Sequence, residues 1–250
     1  MAADPPIRDA ATIIVLRDRA TRPAILMGQR GARAAFMPGK FVFPGGAIDP
    51  DDRDLPMTPL DPLSDNRLAE ASQLAPSTIA AAAIRELWEE TGQILGHAAP
   101  WDTPPASWAG FAATGHIPHT APLTFFFRAV TPTGAPRRFD ARFLLVDAAE
   151  LIGNIDDFSG AEDELSHLQW VPLADARDFD LPFITQVVLA ELTAHLKQDG
   201  PPVSVPLFAT DHELHLLHPL GRSSTHTQPT AHCSPRPAIA ARRHTEHRLG

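Results

Sequence analysis

Arg85-Glu86-Leu87-Trp88-Glu89-Glu90-Thr91-Gly92 is the stretch that decides how this chain is read. On a helix, Glu86, Glu89 and Glu90 stand at i, i+3 and i+4, so three carboxylates share one face within a turn. Like charges that close repel and cost helix stability. The natural compensator is a divalent cation. Clustered carboxylate oxygens suit hard ions such as Mg²⁺ or Mn²⁺, which also bind phosphate oxygens. Taken alone, the same pattern reads first as a solvated acidic helix face. Upstream, Ala80 to Ala83 favour helix and permit close packing. Ser77 or Thr78 is expected to cap the helix start, and Gly92 to end it.

The segment before the helix separates the two readings. Phe43-Pro44-Gly45-Gly46 follows an apolar run, and a double glycine lets backbone turn sharply or approach a ligand closely. Gly46, Arg85-Glu86-Leu87, Glu89-Glu90 and Gly92 together resemble the signature of the Nudix hydrolases. That signature is a glycine, a glutamate six residues on, and after seven more residues R-E-U-x-E-E-x-G-U, where U is aliphatic. Two features depart from it. Between Gly46 and Arg85 stand 38 residues where the family has 13. Counted forward from Gly46, the family's first glutamate falls on Asp52; counted backward from Arg85, it falls on Ser77. The aliphatic position after Gly92 holds Gln93, a packing change expected to cost stability more than chemistry.

A narrower likeness lies in Leu26 to Gly46. The coenzyme A diphosphatases of the family, which include members with an inserted box, carry L-L-T-x-R-S-x3-R-x3-G-x3-F-P-G-G. Arg30, Gly39 and Phe43-Pro44-Gly45-Gly46 match its arginine, glycine and final quartet. Leu26-Met27-Gly28 stands at its start, and Ala35 replaces its second arginine, with Arg33 two residues earlier.

The resemblance implies an α/β fold, the Nudix α/β/α sandwich with a mixed β-sheet, and Mg²⁺- or Mn²⁺-dependent hydrolysis of a diphosphate linkage. Glu86, Glu89 and Glu90 would hold metal, with the Gly45 carbonyl as a further ligand, and Arg85 would orient the carboxylates. The general base would be a box glutamate or an acid of Ala161-Glu162-Asp163-Glu164, with Glu164 the candidate there. Arg30, Arg33, Gly45 and Gly46 would bind a small nucleoside diphosphate substrate, coenzyme A or acyl-coenzyme A, with ADP-ribose or a dinucleotide as alternatives. A homodimer fits the same reading. A catalytically silent Nudix fold used for binding or regulation is the rival class, and the intact carboxylates count against it. Arg128, Arg137, Arg138 and Arg142 also carry forks suited to phosphate; one or two are expected at the site and the rest in solvent. Trp88 is read as core packing.

Composition agrees with an enzyme rather than a nucleic-acid binder. The 250 residues carry a formal charge of −9, and 44% are hydrophobic, enough for one embellished domain. Cys233 is the single cysteine, Met1 to Asp9 lacks a signal-peptide core, and no run is apolar enough to span a membrane, so a reducing cytoplasm is expected.

Strands are expected at Thr12 to Leu16, Ala24 to Met27, Phe41 to Phe43, Leu123 to Val130, Arg142 to Val146 and Leu168 to Pro172, with an amphipathic helix from Ile184 to Lys197. Proline- and aspartate-rich residues 49–76 read as an inserted loop outside the catalytic core, with one helical turn near Arg67 to Leu74. The hydrolase domain is drawn as 1–200. Residues 201–250, rich in Pro, His and Arg, are drawn as a disordered tail rather than a zinc site.

Overall fold

A computed structural model describes residues 4–32, 37–70, 72–211 and 214–220. Along the chain run β1 (Ile7–Arg17), β2 (Ala24–Arg30), β3 (Phe41–Val42), β4 (Gly45–Ala47), α1 (Pro62–Ala69), α2 (Pro76–Thr91) and β5 (Gly96–Ala98). There follow α3 (Ala109–Ala112), β6 (His116–Pro118), β7 (Thr124–Val130), β8 (Arg138–Asp147), β9 (Leu165–Pro172), α4 (Phe183–His195), β10 (Val205–Asp211) and β11 (Leu214–Leu220).

Strand alternation builds the two faces. Ala11, Ile13 and Val15 of β1 join Leu144 and Val146 of β8 in a core against α2, while Ile14 and Leu16 join Phe143 and Leu145 against α4. The result is a mixed sheet between helical layers. Its order is β11-β10-β7-β8-β1-β2-β3, with β1 parallel to β8 and β10 parallel to β7. Ala80 to Ala83 are fully buried, and these small side chains let α2 lie close to the sheet. Phe126 and Phe127 face the same core because β7 carries an irregularity between Phe125 and Phe127.

The strand that positions the site is split. β1 pairs with β2 only at Leu16 and Arg17; further back the two diverge. The segment from β3 to β4 fills the opening, β3 pairing with β2 and β4 with Ala10 to Thr12 of β1. This wedge carries Phe43-Pro44-Gly45-Gly46 across the middle of the sheet.

Two sequence expectations need correction. The inserted segment is not a loop outside the core. Its helix, α1, lies earlier than expected, because Asp61 accepts hydrogen bonds from the Leu63 and Ser64 amides and Pro62 begins the helix. Leu68 is 2% exposed and belongs to the α2-side core, with Leu55, Met57, Leu60 and Leu74 packed against it. The Arg67 guanidinium donates to the carbonyls of Pro202 and Val203, both at 2.8 Å, and Ser64 accepts from the Phe125 amide. The domain also extends past residue 200, since β10 and β11 add a hairpin to the sheet beside β7. Alternating apolar residues at Val205, Leu207, Leu214, Leu216 and Leu220 carried that signal beneath the prolines and histidines. The tail from 221 onward, Cys233 included, lies outside the described residues.

The helix start also differs: Ala75 is the N-cap and Pro76 the first helical residue, so proline rather than a Ser or Thr side chain sets the entry. Because the insertion is core, Leu68→Ala should lower stability by about 2–4 kcal/mol in urea denaturation. Excising residues 54–74 should abolish cooperative unfolding altogether.

Candidate active site

The C-terminal half of α2 brings Arg85, Glu86, Glu89 and Glu90 under the β4 wedge. Gly92 closes the helix in the left-handed conformation, φ 71°, its amide donating to the Trp88 carbonyl. Arg85 is the hub. Its guanidinium meets Asp52 through Nε and NH2 at 2.9 and 3.1 Å, and through NH1 both Glu86 and Glu89 at 2.9 and 2.8 Å. NH2 also donates to the Ala47 carbonyl. Burial works against the arginine's charge, but these carboxylates outweigh it and hold the group more firmly protonated than usual.

Asp52 resolves the ambiguous count. It is fully buried and accepts from Arg85, from Trp108 Nε1 at 3.2 Å and from the Asp49 amide at 2.8 Å. The forward count from Gly46 is therefore the structural one, and the extra residues enter after Asp52. Its oxygens are committed to these donors, so it anchors Arg85 and is not placed to hold a metal.

Glu86 and Glu90 form the acidic floor. A Cβ at Gly46 would lie 2.5 Å from the Glu86 Cδ, so a side chain there would displace this carboxylate from its place beside Arg85. The Gly45 amide donates to Glu90 Oε2 at 2.8 Å, while Glu90 Oε1 is buried with no hydrogen-bond partner among the described residues. Burial pushes the Glu86 carboxyl up to about 7, with the Glu89 charge adding to the shift and Arg85 opposing it. Burial, then Glu86, raise Glu90 well above the ordinary carboxylate range. Glu89 is raised too, by burial and less strongly.

The shared carboxylate face is thus real but drawn apart, Glu86 and Glu89 toward Arg85 and Glu90 toward the Gly45 amide. Among the described residues no three His, Cys, Asp or Glu side chains already form a cage. A buried oxygen without a partner, on one of two neighbouring carboxyls held above their usual range, is an arrangement that added positive charge would relieve, so this donor set fits a hard divalent ion.

The loop before β9 docks on the end of α2. The Glu162 amide donates to the Glu89 carbonyl at 2.8 Å, and Gln93 Nε2 donates to the Asp157 carbonyl at 2.8 Å. Gln93 is therefore a buried anchor for this loop rather than a poor substitute for an aliphatic residue. Glu164 pairs with Arg30 at 3.0 Å, and its charge contributes to raising both Glu86 and Glu90.

Arg30 and Glu164 also border a cavity of about 470 Å³ that opens beside Gly45 and Gly46. Its walls are mostly apolar, with Val42, Phe139, Phe143, Phe183 and Phe208 among them. Arg33 and Ala35 lie outside the described residues. Of the four arginines singled out downstream, Arg128 and Arg142 are locked to Asp140 and Asp9, Arg138 reaches Asp4, and only Arg137 lines the cavity. Arg8 lines it as well and was missed, although its two-residue spacing from Ala10 and Thr12 places it on their face. Trp88 packs edge-on against Phe111, with ring centroids 6.0 Å apart.

A pH dependence follows from the acidic floor. The folded carboxyl of Glu86 titrates above its ordinary value of 4.5, so the folded state binds more protons than the unfolded state between about 4.5 and 7. In metal-free protein its contribution to stability should be complete below pH 4.5 and decline as pH rises to about 7, at no more than about 1.4 kcal/mol per pH unit. Urea denaturation with chelator, comparing the parent with Glu86→Gln, isolates this slope. Mg²⁺ or Mn²⁺ should flatten it. A difference that grows more favourable to the parent as pH rises would contradict an origin in the buried Glu86 carboxyl.

Residues 75–192 match the model described as the NUDIX domain. The crystal structure of a NUDIX hydrolase from Alicyclobacillus acidocaldarius superposes with a TM-score of 0.59 at 26% identity, over 80% of this chain and 100% of that one. A Caenorhabditis elegans protein named as a nudix hydrolase is 36% identical over 96 residues, which are 38% of this chain and 25% of the relative. The match thus spans about a quarter of that relative's length. The acidic helix α2 lies within the residues that match the NUDIX domain model, and the fold around it is similar to that of a NUDIX hydrolase of known structure.

Proposed function

We propose that the chain is a divalent-metal-dependent hydrolase that cleaves the diphosphate linkage of a nucleoside diphosphate derivative, with coenzyme A or acyl-coenzyme A as the substrate. The observation that carries this reading is the buried carboxylate floor of Glu86 and Glu90, with one oxygen unpartnered, beside a cavity bordered by an arginine.

Glu86, Glu89, Glu90 and the Gly45 carbonyl are the groups to hold Mg²⁺ or Mn²⁺. When bound, the ion supplies charge neutralisation at the phosphate oxygens and a more acidic water. Arg85, tied to Asp52, holds Glu86 and Glu89 in place through NH1. Glu164 stands at the cavity wall, close enough to the box glutamates to act on their titration, and we assign it the water's proton. Glu89 is the second acid with access to that proton. Arg30, paired to Glu164 and acting on Glu90, is the group we assign to the diphosphate. Gly45 and Gly46 lie along the same edge of the cavity, where backbone can approach the substrate without a side chain between.

The apolar lining favours a substrate with a substantial apolar portion, which distinguishes acyl-coenzyme A from ADP-ribose and the dinucleoside polyphosphates. The same reading places the chain in a reducing cytoplasm, acting on a small molecule rather than on nucleic acid or a membrane. Among the described residues no helix is long and apolar enough to cross a membrane.

Glu90→Gln keeps shape and removes charge; kcat should fall by about two orders of magnitude or more with the fold intact by circular dichroism. Near-normal turnover at saturating Mg²⁺ would remove Glu90 from the site. Across coenzyme A, a long-chain acyl-coenzyme A, ADP-ribose and diadenosine polyphosphates, the acyl thioester should give the highest kcat/KM. Preference for ADP-ribose would overturn the substrate while leaving diphosphate hydrolysis standing.

A further inference from the structure

We infer that Arg8 and Arg137 form a second anion subsite, which takes a phosphate monoester carried by the substrate in addition to its diphosphate. The inference rests on the proposed function for the location of the diphosphate, and it assigns the recognition of the other phosphate to residues outside the Nudix motif.

The two arginines come from different strands and meet through the sheet. β1 and β8 run parallel with Arg8 opposite Phe139, and Arg137 precedes β8 by one residue. Side chains alternate along a strand, so Arg137 and Phe139 share a face, and Arg8 lies on that face beside them. All three line the same cavity as Gly45, Gly46, Arg30 and Glu164. Arg8 and Arg137 are both exposed, and neither side chain makes a hydrogen bond or ion pair among the described residues. The cavity's other arginine, Arg30, pairs with Glu164 and is assigned to the diphosphate. Arg128, Arg138 and Arg142 of the same sheet are committed as well, each to an aspartate.

Position along the sheet sets the spacing. Arg8 lies on β1, Arg30 ends β2, and the β3–β4 wedge runs between those strands. Two strand spacings separate the two columns, roughly 10 Å, before the side chains extend. Apolar wall, including Phe139, Phe143 and Val42, lines the same cavity. A ligand that satisfies this layout carries negative charge at two places on one body, with a ring able to pack on the apolar wall. A nucleoside with phosphates at both its 5′ and 3′ positions has that form. Guanidinium forks suit a terminal phosphate because they bind its oxygens in pairs.

The test separates this subsite from hydrolysis, because it reads equilibrium binding of products that the enzyme does not cleave. Adenosine 3′,5′-bisphosphate and AMP are titrated calorimetrically into the full chain, and into Arg8→Ala, Arg137→Ala and the double variant, at fixed low salt. The parent should bind the bisphosphate about tenfold or more tightly than AMP. Each single variant should shrink that ratio, and the double variant should bring it close to one, with circular dichroism showing each protein folded. Equal affinities in the parent, or a ratio that survives in the double variant, would overturn the subsite. So would parent affinity for AMP with added inorganic phosphate that matches the bisphosphate, since the site would then take free phosphate. Failure of the parent to hydrolyse any diphosphate would count instead against the proposed function, whatever the binding ratio.

Discussion

The buried guanidinium of Arg85 is the interaction on which the rest of this structure depends. A charge taken out of water costs several kcal/mol unless it is paired and hydrogen-bonded, and removing one member of such a cluster leaves another uncompensated. Asp52, Glu86, Glu89 and the Ala47 carbonyl divide the five donors of Arg85 among them. Each partner belongs to a different requirement. Asp52 ties the start of the insertion to α2, Ala47 ties the glycine wedge to it, and the two glutamates are the groups the site needs in fixed positions.

Glycine makes that arrangement possible. The wedge between β1 and β2 crosses directly over Glu86, and a methyl group at Gly46 would push that carboxylate out of its present position. The close approach puts the Gly45 amide on Glu90 and leaves the opposite oxygen of that carboxylate buried and unpartnered. Charge accumulates there because, among the described residues, the acids outnumber Arg85 and Arg30, the cations beside them. The surplus adds to the effect of burial in raising Glu86 and Glu90, and it is where a hard cation gains most.

The insertion shows how an embellishment becomes structure. Its closure entropy is modest even at this length, because that cost grows only slowly with the number of residues. Burial of Leu68 and the bonds from Arg67 to Pro202 and Val203 offset it, and they bind the insertion to the chain that leads into β10. The inserted segment and the C-terminal hairpin therefore support each other, and the sheet between them ends in β11 rather than in an open β7 edge.

By itself, the sequence determined what local patterns encode. Periodicity placed β2, β7, β9 and α4 to within a few residues and found the central part of β1 and the C-terminal half of β8, and Arg85-Glu86 with Glu89-Glu90 marked the acidic helix, because strand and helix periods depend only on near neighbours. Composition misled where a local rule conflicted with distant partners. The prolines and aspartates of 53–75 read as solvated loop, yet Leu68 had a core to enter and Arg67 had two carbonyls to reach. Val205 to Leu220 read as tail, yet β7 offered a strand to pair with. Only the tertiary structure decided that Asp52, and not Ser77, holds Arg85, that Gln93 anchors the loop bearing Glu164, and that Arg8 and Arg137 face one cavity. Each of these joins residues far apart in the chain, and a contact of that kind is set by how strands pair and layers stack, which no run of neighbouring residues contains.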